Sequence, residues 1–193
     1  MQMSSVQPSQ KLKPTDRLQQ LLPELFNPAP VVGEQFLRLQ LTPDLTIAVA
    51  LSWVEETLLV SPQWVTPIPN MPSHVLGLIS SKSQAFWVIN LVQLLNLPIA
   101  LAPSQNYEVV VIRTLSREMP QADVASAGEL FLGLVVPKIR GSVRLSQEDI
   151  VSPMQEVIAG VQPYLSGQVV VDGQTILVVS AEAIGTSQMP VIG

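Results

Sequence analysis

The stretch GLISSKSQAFWVIN, Gly77 to Asn90, is apolar at both ends and polar in the middle, where Ser80, Ser81, Lys82, Ser83 and Gln84 follow one another. β-Branched and aromatic residues flanking small polar ones read as two strands folded back through a turn. A second stretch supports that reading. Shifting the sequence by 90 lays Gly77 on Gly167, Gln84 on Gln174, Phe86 on Ile176, Val88 on Val178 and Ile89 on Val179, without a gap. Lys82-Ser83 then falls on Asp172-Gly173, a dipeptide that between two apolar runs is a strong hairpin signal. Gly77–Asn90 is therefore expected to be a hairpin with Ser81, Lys82 and Ser83 at its tip.

Working outward, the repeat extends. Shifting by 85 lays IAVALSWVEETLLV over LGLVVPKIRGSVRL, with Val54 on Ile139, Leu58 on Val143 and Val60 on Leu145. Two gapless windows in the same order indicate a duplicated β unit. EQFLRLQL alternates in the manner of a strand, and YEVVVIRTL is strongly β-branched. SPQWVTPIPNMP cannot be helix, because its prolines lack donors and push preceding residues to extended conformations. After the hairpin, Leu91, Leu94 and Leu95 have helical spacing, and Pro98 helps to stop that turn. SREMPQADVASAGE reads as a long loop. Two small β units with few helices imply two barrels or a sandwich.

The expected organisation is a segment 1–33, a domain 34–186 and a tail 187–193. Within the domain the first barrel is expected over roughly 34–98 and the second over roughly 107–185. Residues 1–33 are polar and Pro-dotted. TDRLQQLLPELF within them places Leu18, Leu21, Leu22, Leu25 and Phe26 at helical spacing, with Thr15 as N-cap and Pro23 limiting the helix. That helix either lies on the domain or docks a partner.

Composition excludes several classes. Apolar residues make up 47%, enough for a core. No run reaches the ~20 continuous apolar residues of a membrane helix, and the first twenty residues lack the apolar segment of a secretory signal. There is no Cys, which removes disulfides and thiolate chemistry and fits a cytoplasmic location. Ten basic residues against fifteen acidic ones give a net charge of -5, the wrong field for a nucleic acid. The densest basic stretch, with Lys138, Arg140 and Arg144, reads as one solvated strand face.

The order of motifs resembles the CheW family of chemotaxis adaptors. Val54-Glu55-Glu56 matches V-x-E, TPIPNMPSHVLGLI the Pro-rich connection and V-x-G-x-I, and VINLVQLLNL the apolar run after the turn. In the second half GLVVPKI is similar to the family's G-h-h-V-D-x-V, where h is apolar, and DGQTILVVSAEAI to its closing strand and helix. The resemblance covers roughly 34–185 and implies a mainly β fold: two small five-stranded SH3-like barrels sharing a core, with short helices. The sequence departs from the pattern at three places. The turn N-L-R-G is Ser80-Ser81-Lys82-Ser83, the Asp of P-V-I-D-L is Asn90, and the Asp after G-h-h-V is Pro137. Lys cannot make the planar two-bond fork of Arg to a carboxylate.

The resemblance implies an adaptor, not an enzyme, with no cofactor. Its partners would be the regulatory domain of a CheA-type histidine kinase and the tip of a methyl-accepting receptor. It would work in two-component signalling for chemotaxis, phototaxis or type IV pilus motility, at a membrane-associated array but without membrane insertion. Carried over residue by residue, Val54 and Gly77 belong to the kinase surface, and Glu56 and Lys82 are receptor-contact candidates. Taken alone, Val54 reads as a strand residue, Gly77 as a bulge or tight approach and Lys82 as a solubilising turn residue. The alternative is a module of the same fold that has lost receptor coupling and scaffolds or sequesters a signalling partner. For an enzyme the chemistry is thin. His74 is the sole His and corresponds to Tyr164 in the repeat. A Ser80–Lys82 dyad on a solvated tip would have nothing to desolvate the lysine. Glu55 and Glu56 point to opposite strand faces.

Overall fold

The computed structural model of the chain describes residues 33–81, 84–101, 105–115, 129–152 and 157–187. The segment 1–32, the turn residues Lys82 and Ser83, the long loop from Ser116 and the tail from Gln188 lie outside the described residues. Gly33 to Gly193 forms one compact unit.

Among the described residues ten strands form two five-stranded sheets. Sheet I has the order β8-β1-β2-β10-β9 and sheet II the order β3-β6-β7-β5-β4. In chain order the strands are β1 Glu34–Gln40, β2 Thr46–Ala50, β3 Val54–Val60, β4 Val75–Ser81 and β5 Gln84–Asn90. After the one-turn helix α1, Leu91–Leu94, follow β6 Tyr107–Leu115, β7 Glu129–Val136, β8 Lys138–Leu145, β9 Leu165–Val171 and β10 Gln174–Val179, and then helix α2, Ala181–Ser187.

Both expected hairpins are present. β4 pairs antiparallel with β5 down to Ser81↔Gln84, and β9 with β10 down to Val171↔Gln174. Asp172 (φ 51°) and Gly173 (φ 77°) both take positive φ, the turn whose twist suits a right-handed hairpin. Each hairpin also carries a bulge near its base, between Val75 and Gly77 and between Leu165 and Gly167, so the repeat extends to an irregularity of the backbone.

The sheets do not follow the two halves of the sequence, which corrects the expected barrel boundaries of 34–98 and 107–185. Sheet I joins β1 and β2 to β8, β9 and β10, while sheet II joins β6 and β7 to β3, β4 and β5. The halves therefore exchange their first two strands. The chain crosses between sheets at two equivalent places. One is the 3-10 turn Leu51–Trp53 between β2 and β3, and the other is Pro137, alone between β7 and β8. Ser52 and Pro137 are related by the same shift of 85. Pro suits such a point because it has no N–H to leave unpaired where one ladder ends and another begins. The amide two residues on is satisfied by a side chain: Ile139 N–H donates to Glu108 Oε2 at 2.7 Å. The central parallel pairings repeat in register, with Ile47↔Leu177 in sheet I and Leu132↔Trp87 in sheet II.

Alternation then builds three apolar clusters. Phe36, Ala48, Val169, Ile176 and Val178 fill the inner side of sheet I. Val60, Ile79, Phe86, Val88, Val109, Val111 and Val135 fill that of sheet II. The opposite faces meet in a common core of Leu37, Leu39, Ile47, Val49, Ile89, Val110, Ile112, Leu132 and Leu134, joined by Leu91 of α1 and Ile184 of α2. Burying each large side chain contributes about 1.5–3 kcal/mol. This is the shared core of two barrel-like sheets. Each seam is crossed by one bridge between the segment leaving one edge strand and the opposite edge: Thr66↔Leu78 in sheet II and Val151↔Gln168 in sheet I.

The repeat reaches the helix starts as well. Asn90 Oδ1 accepts from Gln93 N–H at 3.4 Å to cap α1, and Ser180 Oγ accepts from Ala183 N–H at 3.1 Å in the equivalent position. Their own amides donate to the carbonyls of His74 and Tyr164, both at 2.8 Å. Asn in place of Asp at residue 90 keeps the capping oxygen, so this departure from the family pattern is a mild one locally.

Candidate protein-docking surface

β3 is an edge of sheet II, and its residues alternate in exposure. Glu55, Thr57 and Leu59 are exposed, whereas Leu58 and Val60 pack on the inner cluster. Leu59 is 72% exposed. The chain then turns through the 3-10 segment Pro62–Trp64, which leaves Trp64 66% exposed. Trp64 N–H donates to Ser61 C=O at 2.9 Å and Val65 N–H to Pro62 C=O at 3.1 Å, so a rigid turn presents the indole. A Leu and a Trp are thus held at the surface on one edge strand and its following turn. The matching edge of sheet I differs. There Val151 and Val170, both exposed, help to line a groove of about 510 Å³ between β8 and β9, with Arg144, Asp149 and Asp172 beside them.

Gly77 holds the sheet II edge together from beneath. It is buried, has φ +145°, and a Cβ there would stand 2.1 Å from the Thr66 carbonyl oxygen. That approach allows Thr66 N–H to donate to Leu78 C=O at 2.8 Å and Leu78 N–H to Thr66 C=O at 2.9 Å. Only Gly combines this φ with this contact. Gly77 thus acts through the backbone, as the tight approach that the residue alone suggested, and offers no side chain to a partner.

The other sequence-derived site residues fall as follows. Val54 opens β3 opposite Ile112; it is half-buried and packs against the shared core, so it is not a free surface group. Glu55 is the extra residue of a bulge between Val54 and Glu56. It is exposed, whereas Glu56 is half-buried and has an interaction partner. Lys82 lies outside the described residues, between the paired Ser81 and Gln84. His74 is half-buried, and its carbonyl anchors Asn90. Among the described residues, no group of three or more His, Asp and Glu is placed to hold a metal, and no helix is long and apolar enough to cross a membrane. Sequence reasoning passed over Leu59 and Trp64. The signal for Leu59 was its alternation with Thr57, and that for Trp64 its place in a Pro-flanked turn.

An ion pair stands at the sheet crossover. Lys138 Nζ lies 2.8 Å from Glu108 Oε1. Burial by itself raises the Glu108 pKa, but the Lys138 hydrogen bond, the Ile139 amide and the charges of Lys138 and Arg140 outweigh it and hold the carboxyl below its ordinary value.

The CheW-like domain family matches residues 35–189, nearly the whole compact unit. The chain belongs to the CheW-like domain family. The crystal structure of the scaffolding protein TtCheW from Thermoanaerobacter tengcongensis has the same fold, with a TM-score of 0.64. The match covers 83% of this chain and 99% of that one at 13% identity. No curated protein matches the chain. The expected two-barrel CheW-like architecture is thus present, with the exchange of β1 and β2 between halves as its added feature. The family match also embraces β3, the Trp64 turn and the β4–β5 hairpin, so the apolar edge is part of the CheW-like domain itself.

Proposed function

We propose that this chain is a cytoplasmic, non-enzymatic adaptor that couples a receptor to the regulatory domain of a CheA-type histidine kinase in a motility pathway. The observation that carries the proposal is the Leu59–Trp64 edge of sheet II, within a CheW-like domain. It lies on the strand that begins at Val54, and its following segment is pinned by Gly77, the two residues assigned to the kinase surface from the resemblance. In this reading Leu59 and Trp64 supply the contact area, while Val54 and Gly77 set the geometry of the edge. A large exposed aromatic that becomes desolvated is the kind of residue that dominates binding energy, and Leu59 extends the same apolar area.

The test is calorimetric binding of a purified CheA-type regulatory domain. Trp64→Ala is expected to cost about 2 kcal/mol, roughly 30-fold in affinity, and Leu59→Ser about 1 kcal/mol. Both leave the fold intact, because both side chains are already in water. Val54→Asp is a poorer probe, since it places a charge against the shared core. Unchanged affinity in Trp64→Ala and Leu59→Ser removes this edge from the kinase contact. Receptor coupling is tested separately with the receptor tip. Lys82→Glu is expected to weaken the ternary complex, and Lys82→Arg to hold or strengthen it by restoring the two-bond fork. If both bind as the parent does at low salt, Lys82 is a solvated turn residue.

A further inference from the structure

The β1–β8 ladder at the edge of sheet I carries Arg38, Lys138, Arg140 and Arg144, four of the ten basic residues in a chain of net charge -5. Lys138 is paired with Glu108. Among the described residues neither Arg38 nor Arg140 forms an ion pair with a carboxylate, although the Arg140 charge is felt by Glu108. Arg38 Nη2 donates to the Arg140 carbonyl at 3.4 Å, and Arg140 donates through Nε (2.7 Å) and Nη2 to Gln40 Oε1. All of these acceptors are neutral. Glu108 takes Lys138 and the Ile139 amide on its two oxygens, and Glu34, at the far end of β1, accepts from Ser52.

A bulge sets Arg38 beside Arg140. The register passes from Leu37↔Ser142 to Leu39↔Ile139, so Arg38 faces two residues, Arg140 and Gly141. Arg38 lies on the same strand face as Phe36, whose side chain fills the inner cluster of sheet I. Its Nε is buried and has no hydrogen-bond partner among the described residues. A desolvated guanidinium N–H without an acceptor is a defect that an incoming oxygen would repair. Approach is open beside it, since Arg140 is exposed and a side chain at Gly141 (φ +82°) would meet nothing within 4 Å.

We propose that Arg38 and Arg140, brought together by the β1–β8 bulge, form a docking site for a carboxylate side chain on an acidic protein segment. An incoming carboxylate would displace the neutral Gln40 acceptor from the Nε–Nη2 fork of Arg140, which matches its planar geometry. The net negative charge of the chain disfavours an extended polyanion at long range, while one carboxylate feels chiefly the local pair of cations. The edge position of β8 leaves room for a segment to lie alongside. This surface is on sheet I, away from the strands of the Leu59–Trp64 edge, and goes beyond the adaptor reading without resting on it.

The experiment uses the full ¹⁵N-labelled chain at low salt and follows the arginine Nε–H signals. The probes are a blocked hexapeptide with a central Glu-Asp pair, its Gln-Asn counterpart and inorganic phosphate. The acidic peptide is expected to move the Arg38 Nε–H signal saturably, the neutral peptide not at all. Arg140→Gln, an exposed change whose folding is read in the same spectrum, is expected to weaken binding about tenfold, whereas Arg144→Gln leaves it within about twofold. No saturable shift, an equal shift with the neutral peptide, or affinity unaffected by Arg140→Gln overturns the proposal. A response to phosphate with none to the acidic peptide overturns it in favour of a free-oxyanion site.

Discussion

Replacing Gly77 with Ala probes the closure of sheet II directly. The added Cβ would stand 2.1 Å from the Thr66 carbonyl oxygen and 2.6 Å from its carbon, so the segment after β3 must move away. Holding a non-Gly residue at φ +145° costs about 1–3 kcal/mol. Losing the two Thr66–Leu78 hydrogen bonds adds about 1 kcal/mol each. The expected destabilisation is about 3–5 kcal/mol, roughly 6–20 °C in Tm for a domain of this size. Gly141→Ala is the internal control. It shares the positive φ (+82°) but has open space at the Cβ position, so only the backbone penalty of about 1–2 kcal/mol applies. Urea and thermal unfolding of parent, Gly77→Ala and Gly141→Ala would measure the difference. If Gly77→Ala costs no more than Gly141→Ala, the close approach to Thr66 is not what the glycine provides, and its role as the anchor of the Trp64 turn is refuted.

Three further outcomes are expected. Asn90→Ala loses the cap of α1 and should cost about 1 kcal/mol in chemical unfolding, whereas Asn90→Asp should stay within about 0.5 kcal/mol of the parent. Glu108→Gln should cost about 0.5–1 kcal/mol at neutral pH by removing the Lys138 ion pair. Because the folded Glu108 pKa is lowered from 4.5, that contribution is present above 4.5 and disappears as pH falls through the folded value, so the parent and variant should converge in acid. Deleting residues 1–32 should leave a domain that unfolds cooperatively with its Tm little changed, checked by calorimetry; a large loss would place Leu18–Phe26 in the core.

The local parts of this fold were legible in the sequence because they depend on neighbours in the chain. Asp172-Gly173 calls for its hairpin through positive φ, and the gapless match to Gly77–Ile89 transfers that hairpin to residues whose own turn, Lys82-Ser83, is less explicit. The helical turn at Leu91 was likewise visible in its spacing. Sheet membership was not. Whether β1 and β2 pair with β3 or with β8 and β10 depends on contacts a hundred or so residues away, and alternation is the same in either partner. The break at Ser52 and the interruption at Pro137 were both seen, but only the tertiary structure shows that each carries the chain from one sheet to the other. For the same reason the site was only half readable. Gly77 could be marked as a tight approach from its residue type, yet the carbonyl it makes room for belongs to Thr66, brought near by the seam of the barrel. The exposure of Leu59 and Trp64, and the gathering of Arg38 and Arg140 at a bulge, follow from which edges the sheets leave open. That is a property of the assembled strands and not of any one of them.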